Sequence, residues 1–177
     1  MQKKVILKIT PKINRNYPRL LKLKNKNISK VHKIKKCKSF YLIESEYFNG
    51  KPLIFNEIHI NKKIFIKNII KTIYFLIHNN LVHCDIRPSN ILINKNNFKI
   101  IDFEYCHKPY SKFKIDGSVY IAPEVRKGIV HKYSDLYSLG IILSLLILNS
   151  KIDLEEIKNL DSIKIKKLLN SKFDMDE

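Results

Sequence analysis

The sequence predicts an α+β fold built in two layers. Three observations predict it. Short β-like runs crowd the first 43 residues, a helical stripe occupies Asn61–His78, and a hairpin followed by a second, wholly apolar helix completes the order. Strands, helix, hairpin, loop and helix do not alternate as βαβ units do, which excludes a doubly wound parallel sheet. The chain has 177 residues and 45% apolar content, enough for one domain with a core of its own.

Each element has its own local reason. Lys4–Ile9 (KVILKI) is a short apolar run that ends at Thr10-Pro11. Leu20, Leu21 and Leu23 suggest a short helix, and Ile28–Ile34 and Phe40–Ile43 alternate like strands. Asn49-Gly50-Lys51-Pro52 reads as a turn. Ile64, Phe65, Ile69, Ile73, Leu76 and Ile77 recur at helical spacing. Ile91–Ile93 and Phe98–Ile101 flank the polar turn Asn94–Asn97 and form a hairpin. Tyr105–Lys132 shows no period and reads as a long loop. Ser134 or Asp135 then caps a buried helix that runs through Leu148, and Asp153–Leu169 is a weaker amphipathic helix.

Composition sets limits on function. Only four residues are glycine (Gly50, Gly117, Gly128 and Gly140), against roughly twelve at average usage, and they are widely separated. A GxGxxG fingerprint and a Walker-type phosphate loop are excluded, because both need clustered glycines to bring backbone N–H groups onto phosphate. The net charge of +18 suggests a nucleic-acid partner, yet 30 of the 34 basic residues are Lys, and Ile (30) and Asn (17) are also in excess. That is the usage of an A/T-rich gene. The charge is also uneven: residues 1–43 carry 12 Lys, 2 Arg and no acid. A solvated Lys-rich surface accounts for it. The cysteines Cys37, Cys84 and Cys106 are odd in number and show no CxxC spacing, as expected of reduced thiols in an intracellular compartment. His83-Cys84 and Cys106-His107 match no common zinc spacing. The longest apolar stretch, Leu136–Leu148, is too short to span a bilayer, so no membrane is expected.

The chemistry concentrates in four motifs. His83-Cys84-Asp85-Ile86-Arg87-Pro88-Ser89-Asn90 resembles the protein-kinase catalytic loop H-R-D-L-K-P-x-N. Asp102-Phe103-Glu104 is similar to the metal-binding D-F-G. Gly117–Glu124 (GSVYIAPE) looks like the end of an activation segment, and Ser134–Gly140 (SDLYSLG) like the start of the family's central helix. Four motifs in order identify the chain as resembling eukaryotic-type Ser/Thr protein kinases, over residues 40–148 most clearly. The resemblance implies a protein-kinase-like α+β fold: a reduced β-rich N-lobe without the glycine-rich loop (1–47), then a mainly helical, C-terminally shortened C-lobe (48–177). Within the C-lobe it implies a catalytic loop at 83–90, an activation segment at 102–124 and a central helix at 134–148.

Phosphoryl transfer needs charge neutralisation and alignment more than covalent help. The resemblance therefore implies Asp85 as the acid that orients the acceptor hydroxyl and Arg87 as the cation on the transferred phosphate. Asn90 and Asp102 become ligands of Mg2+, which prefers hard oxygen donors. Lys8, in Val5-Ile6-Leu7-Lys8, looks like the phosphate-binding Lys of V-A-I-K. With Glu46 and Leu92 it falls to the ATP side of the site. Asp135 is implied to hold the catalytic loop from below, and His83 to pack in the core.

The departures from the family also cluster. The strand resembling V-A-I-K lies at residues 5–8, so the resemblance leads us to expect a lobe without the glycine-rich loop. No acid precedes Glu44, so Lys8 has no ion-pair partner within residues 1–43, and Asn16 falls near the usual Glu position. Ile6 replaces a small Ala above the adenine. Cys84 replaces the Arg that reads a phosphorylated loop. Glu104 replaces the Gly of D-F-G, as in choline-kinase and aminoglycoside-phosphotransferase relatives, which lack A-P-E and the S-D-x-Y-S-L-G helix start. No Arg follows Arg126, so Glu124 is expected to use Lys or stay solvated.

Two functions follow: a Ser/Thr protein kinase using ATP and Mg2+ on a protein substrate, or a pseudokinase that binds and regulates a protein partner, another kinase included. The expected place is the cytoplasm or nucleus, or a host cell for a viral or parasite chain. A nucleic-acid binder is set aside, because the Asp/Asn constellation repels phosphate without a metal.

Overall fold

The computed structural model describes residues 4–55 and 60–147. The expected helix over Asp153–Leu169 and the last residue of the expected central helix, Leu148, lie outside the described residues.

Strands β1 (Val5–Thr10), β2 (Val31–Lys36) and β3 (Tyr41–Glu46) form a three-stranded antiparallel sheet in the order β1-β3-β2. The β2 boundary differs from the expected Ile28–Ile34. Ile28 instead makes an isolated parallel bridge to Ile100, which ties this sheet to the hairpin behind it. The short helix expected around Leu20 is a 3-10 turn, Tyr17–Lys22, opened by Pro18. β3 is central because its Ile43 goes into the core, whereas β1 is an edge with Leu7 and Ile9 exposed.

The second sheet has the order β4-β5-β6, with β4 at Lys51–Pro52, β5 at Ile91–Asn94 and β6 at Asn97–Ile100. The expected turn at Asn49–Pro52 is thus half strand, since Lys51 and Pro52 pair with Ile93 and Leu92. The hairpin turn is two residues, not four: Asn94 pairs with Asn97, and Lys95 takes a left-handed φ of 52°.

Helix α1 (Lys62–His78) begins where the Asn61 side chain accepts from the Ile64 amide at 3.1 Å. It ends without glycine: Asn80 takes the left-handed position (φ 50°), and the Leu81 amide reaches back to the Leu76 carbonyl. Its buried face is Phe65, Ile69, Thr72, Ile73 and Leu76; Ile64, expected in that stripe, is exposed. Helix α3 (Ser134–Ile147) is buried along most of its length, and the loop before it holds a one-turn helix, α2 (Pro123–Arg126), that the sequence did not announce. One core cluster joins both helices to the hairpin and to Ile43 and Val31 of the first sheet. Among the described residues no helix is long and apolar enough to cross a membrane.

Candidate active site

The loop over residues 83–90 hangs from two anchors. The first is His83, fully buried, with its ring 4.4 Å from that of Phe103. Nε2 donates to the Ile101 carbonyl at 2.9 Å while Nδ1 accepts from the Asp85 amide at 3.2 Å. One neutral tautomer satisfies both bonds, and burial pushes the imidazole down from 6.5 to about 4. The second anchor is Asp135 on α3. Its two carboxylate oxygens accept from the amides of His83 (2.6 Å) and Cys84 (3.0 Å). Asp135 is therefore spent on the loop rather than on a helix cap. Cys84 between the anchors has a left-handed φ of 65°. Burial pushes its thiol and that of Cys106 up, the latter to about 12, so both stay protonated.

Those anchors present Asp85, Arg87 and Asn90 as one cluster. The Asn90 amide donates both to the Asp85 carbonyl and to its carboxylate, each at 2.9 Å. The Asn90 amide oxygen is left without a protein partner among the described residues. Arg87 Nε lies 3.3 Å from Asp85 Oδ2, an ion-pair distance without hydrogen-bond alignment, and its side chain is half exposed. Burial raises the Asp85 pKa; Arg87 and Asn90 pull it back, and Asp102 adds a further push upward.

Asp102 follows β6 in a left-handed conformation (φ 60°, ψ 66°) and opens a 3-10 turn, Phe103–Tyr105. Phe103 is buried, and the carboxylates on either side of it both reach Lys8 of β1: Asp102 at 3.1 Å and Glu104 at 2.8 Å. Burial works against the Lys8 charge, but the two carboxylates outweigh it and its pKa is raised. Within residues 1–43 Lys8 indeed has no acid; its partners come from the far half of the chain. Asn16 does not meet it, and bonds to Asn14 instead.

Lys8 and Asp102 line a cavity of about 470 Å³ together with Ile6, Val31, Ile43, Glu46, Leu92 and Phe103. Lys8, Glu46, Leu92 and Asp102 are thus brought to one cavity, whereas Asp85, Arg87 and Asn90 lie outside its wall. The Glu46 carboxylate is engaged by Lys99 at 2.8 Å and by the Lys30 amide. Burial alone would raise its pKa, yet these partners lower it. Gly50 also lines this cavity. A Cβ there would come within 2.6 Å of the Phe48 ring and 2.9 Å of the Ile93 carbonyl.

Below the loop, partly buried Glu124 accepts from the Ser134 hydroxyl at 2.6 Å, and no Lys pairs with it among the described residues. The contacts of Ser134 with Glu124, of Glu104 with Lys8, and of Arg126 with the carbonyls of Ser118 and Val119 are the ones that residue order does not reveal. The signal for Ser134, a serine ten residues after Glu124 and beside Asp135, reads equally as a helix cap.

Residues 1–175 match the protein kinase domain family. This chain belongs to the protein kinase family. Calcium-dependent protein kinase 4 of Plasmodium falciparum is 35% identical over 137 residues, covering 68% of this chain and 26% of that protein. CBL-interacting protein kinase 21 of Oryza sativa subsp. japonica is 29% identical over 160 residues, covering 80% of this chain and 30% of that protein. The probable serine/threonine-protein kinase yakA of Dictyostelium discoideum is 34% identical over 124 residues, 63% of this chain. The kinase-family chain spans about a quarter to a third of the first two relatives. The expected α+β kinase architecture and Ser/Thr-kinase kinship hold.

Proposed function

We propose that this chain transfers the γ-phosphate of ATP, with Mg2+, to serine or threonine hydroxyls of a protein. One observation carries the reading: the double hydrogen bond from Asn90 to Asp85. It holds a carboxylate and an amide group in one unit, and it uses the amide nitrogen as donor so that the oxygen is left available to a cation.

The donor set suits Mg2+. Asn90 and Asp102 offer hard oxygens, and Asp102 keeps one oxygen that Lys8 does not use. Once bound there, the metal supplies charge neutralisation on the transferring phosphate. Asp85, raised by burial, orients the acceptor hydroxyl and takes its proton. Arg87, half exposed and braced by Asp85, reaches the transferred phosphate with a forked guanidinium. Lys8 would hold the other phosphates, and Ile6 and Leu92, with Glu46 nearby, offer the cavity surface that would take the adenine. The cavity volume falls within the range of nucleotide-sized pockets. In this reading residues 1–47 act as the nucleotide lobe and 48–177 as the lobe for the acceptor protein. Free, buried thiols at Cys84 and Cys106 agree with an intracellular place.

The test is thermal unfolding of the protein with and without ATP and Mg2+, followed by radiolabelled phosphate transfer to peptides. A rise in Tm, as a native-state ligand requires, together with transfer is the expected result. No rise and no transfer at any metal concentration refutes it. A second reading, a pseudokinase regulating a protein partner such as another kinase, is favoured by the Lys8 ammonium already being engaged by two carboxylates. It predicts partner capture with no transfer.

A further inference from the structure

Lys8 sits on an edge strand in a segment without acids, yet its ammonium is doubly paired. The nearer partner is Glu104, at 2.8 Å against 3.1 Å for Asp102. Both carboxylates belong to one short turn whose geometry is over-determined. Phe103 between them is buried against the His83 ring, and His83 is bonded to the Ile101 carbonyl just before the turn. With Phe103 pinned inward, residues 102 and 104 are both free to face β1.

The two carboxylates have different prospects. A cation taken up by Asp102 competes with Lys8 for that carboxylate and repels the ammonium. Glu104 is a separate group and keeps its hold. Resting on the phosphotransfer reading above, we propose that Glu104 is the positioning residue for Lys8: it holds the ammonium in the cavity wall for phosphate while Asp102 is given over to the metal. The acid that fixes the phosphate-facing lysine thus comes from the turn after β6, not from the segment that follows β1.

The surface alternative is a partly exposed ion pair of little consequence, since such pairs often contribute almost nothing. A third ligand to the metal is the other alternative. The experiment separates them. Wild type, Glu104→Gln and Glu104→Asp are treated with a lysine-acylating reagent at mildly alkaline pH, and modification of Lys8 is read by mass spectrometry against exposed Lys63 in the same digest. Removing the carboxylate should free the amine and speed Lys8 acylation about threefold or more, with Glu104→Asp close to wild type. In parallel, ATP affinity is titrated at saturating Mg2+, and the Mg2+ midpoint at saturating ATP. Glu104→Gln should weaken ATP binding about three- to tenfold, with Glu104→Asp restoring it and the Mg2+ midpoint unmoved. Unchanged acylation overturns the proposal, and so does a shifted Mg2+ midpoint, which makes Glu104 a metal ligand. If wild type binds no ATP but Glu104→Gln still accelerates acylation, the phosphotransfer reading falls and the hold of Glu104 on Lys8 stands.

Discussion

Asp135 accepts hydrogen bonds from the His83 amide at 2.6 Å and, through its other oxygen, from the neighbouring Cys84 amide at 3.0 Å. One helix-borne carboxylate thus sets the backbone of the loop that presents Asp85. Replacing Asp135 by Ala strands two buried donors, each of which costs about 1–3 kcal/mol unpaired. We expect a loss of about 2–4 kcal/mol, read as a lowered urea midpoint with unchanged slope. Asp135→Asn keeps one acceptor and should lose less.

Asp85→Asn should separate chemistry from folding. The amide oxygen of the new side chain can still accept from Asn90, so stability should change by under about 1 kcal/mol. Phosphate transfer should fall by about a hundredfold or more, because the amide cannot take a proton. ATP-dependent stabilisation should persist, which thermal shift and a transfer assay together will show.

Asp102→Ala should abolish the Mg2+-dependent part of ATP stabilisation and leave Lys8 bound to Glu104 alone. A β-carbon without a polar head also sits poorly at φ 60°, adding a cost of about 1 kcal/mol. Equal Tm shifts for wild type and Asp102→Ala across a Mg2+ series would refute the assignment.

Stability should fall on the acid side through His83. Its folded pKa is depressed from 6.5 to about 4, so as pH drops through that window the unfolded chain takes up a proton that the native state refuses. The native Nδ1 accepts from the Asp85 amide, the ring touches Phe103, and Asp102 and Arg87 are the charges that bear on it. The contribution of His83 to this loss should approach roughly 3 kcal/mol between about pH 6.5 and 4, while Asp135, pushed up to about 6 by burial, works in the opposite direction over part of the same window. Unfolding midpoints of His83→Phe against pH should lack this limb, whatever its stability at neutral pH.

Gly50→Ala should injure both the cavity and the strand pairing behind it, lowering the melting temperature as well as ligand affinity. The added carbon meets the Phe48 ring, which can swing, and the Ile93 carbonyl, which cannot without disturbing the β4-β5 pairing. ATP affinity should drop with little change in transfer rate at saturation.

Much of this was legible from residue order alone. The Asp85–Asn90 cluster, the hold of Asp135 on the loop and the burial of His83 are implied by the resemblance of residues 83–90 and 134–140 to kinase motifs, although Asp135 lies some fifty residues from the amides it binds. What stayed hidden depends on contacts across the sheet and turn. The partner of Lys8 could not be found by searching near it, because strand pairing of β1 with β3 and the bridge from Ile28 to Ile100 decide which turn comes within reach. The partner of Glu124 escapes a sequence reading for a similar reason: a carboxylate without an Arg suggests Lys or solvent, and the Ser134 hydroxyl ten residues on donates to one of its oxygens. Boundaries drifted where charge masked pattern, as in β2, whose Lys-rich face dilutes the alternation. The one-turn helix α2 carries too few residues to show a period.

Asp102 is constrained twice over at a single position. Its left-handed backbone admits few residues cheaply, chiefly Gly, Asn and Asp itself. Gly would relax the backbone and erase the side chain; Asn would keep the shape and discard the charge that Lys8 answers. Sequence drift at this site therefore has no quiet exit, since every change that the main chain tolerates disarms the pocket, and every change that keeps a carboxylate, Glu included, strains the turn.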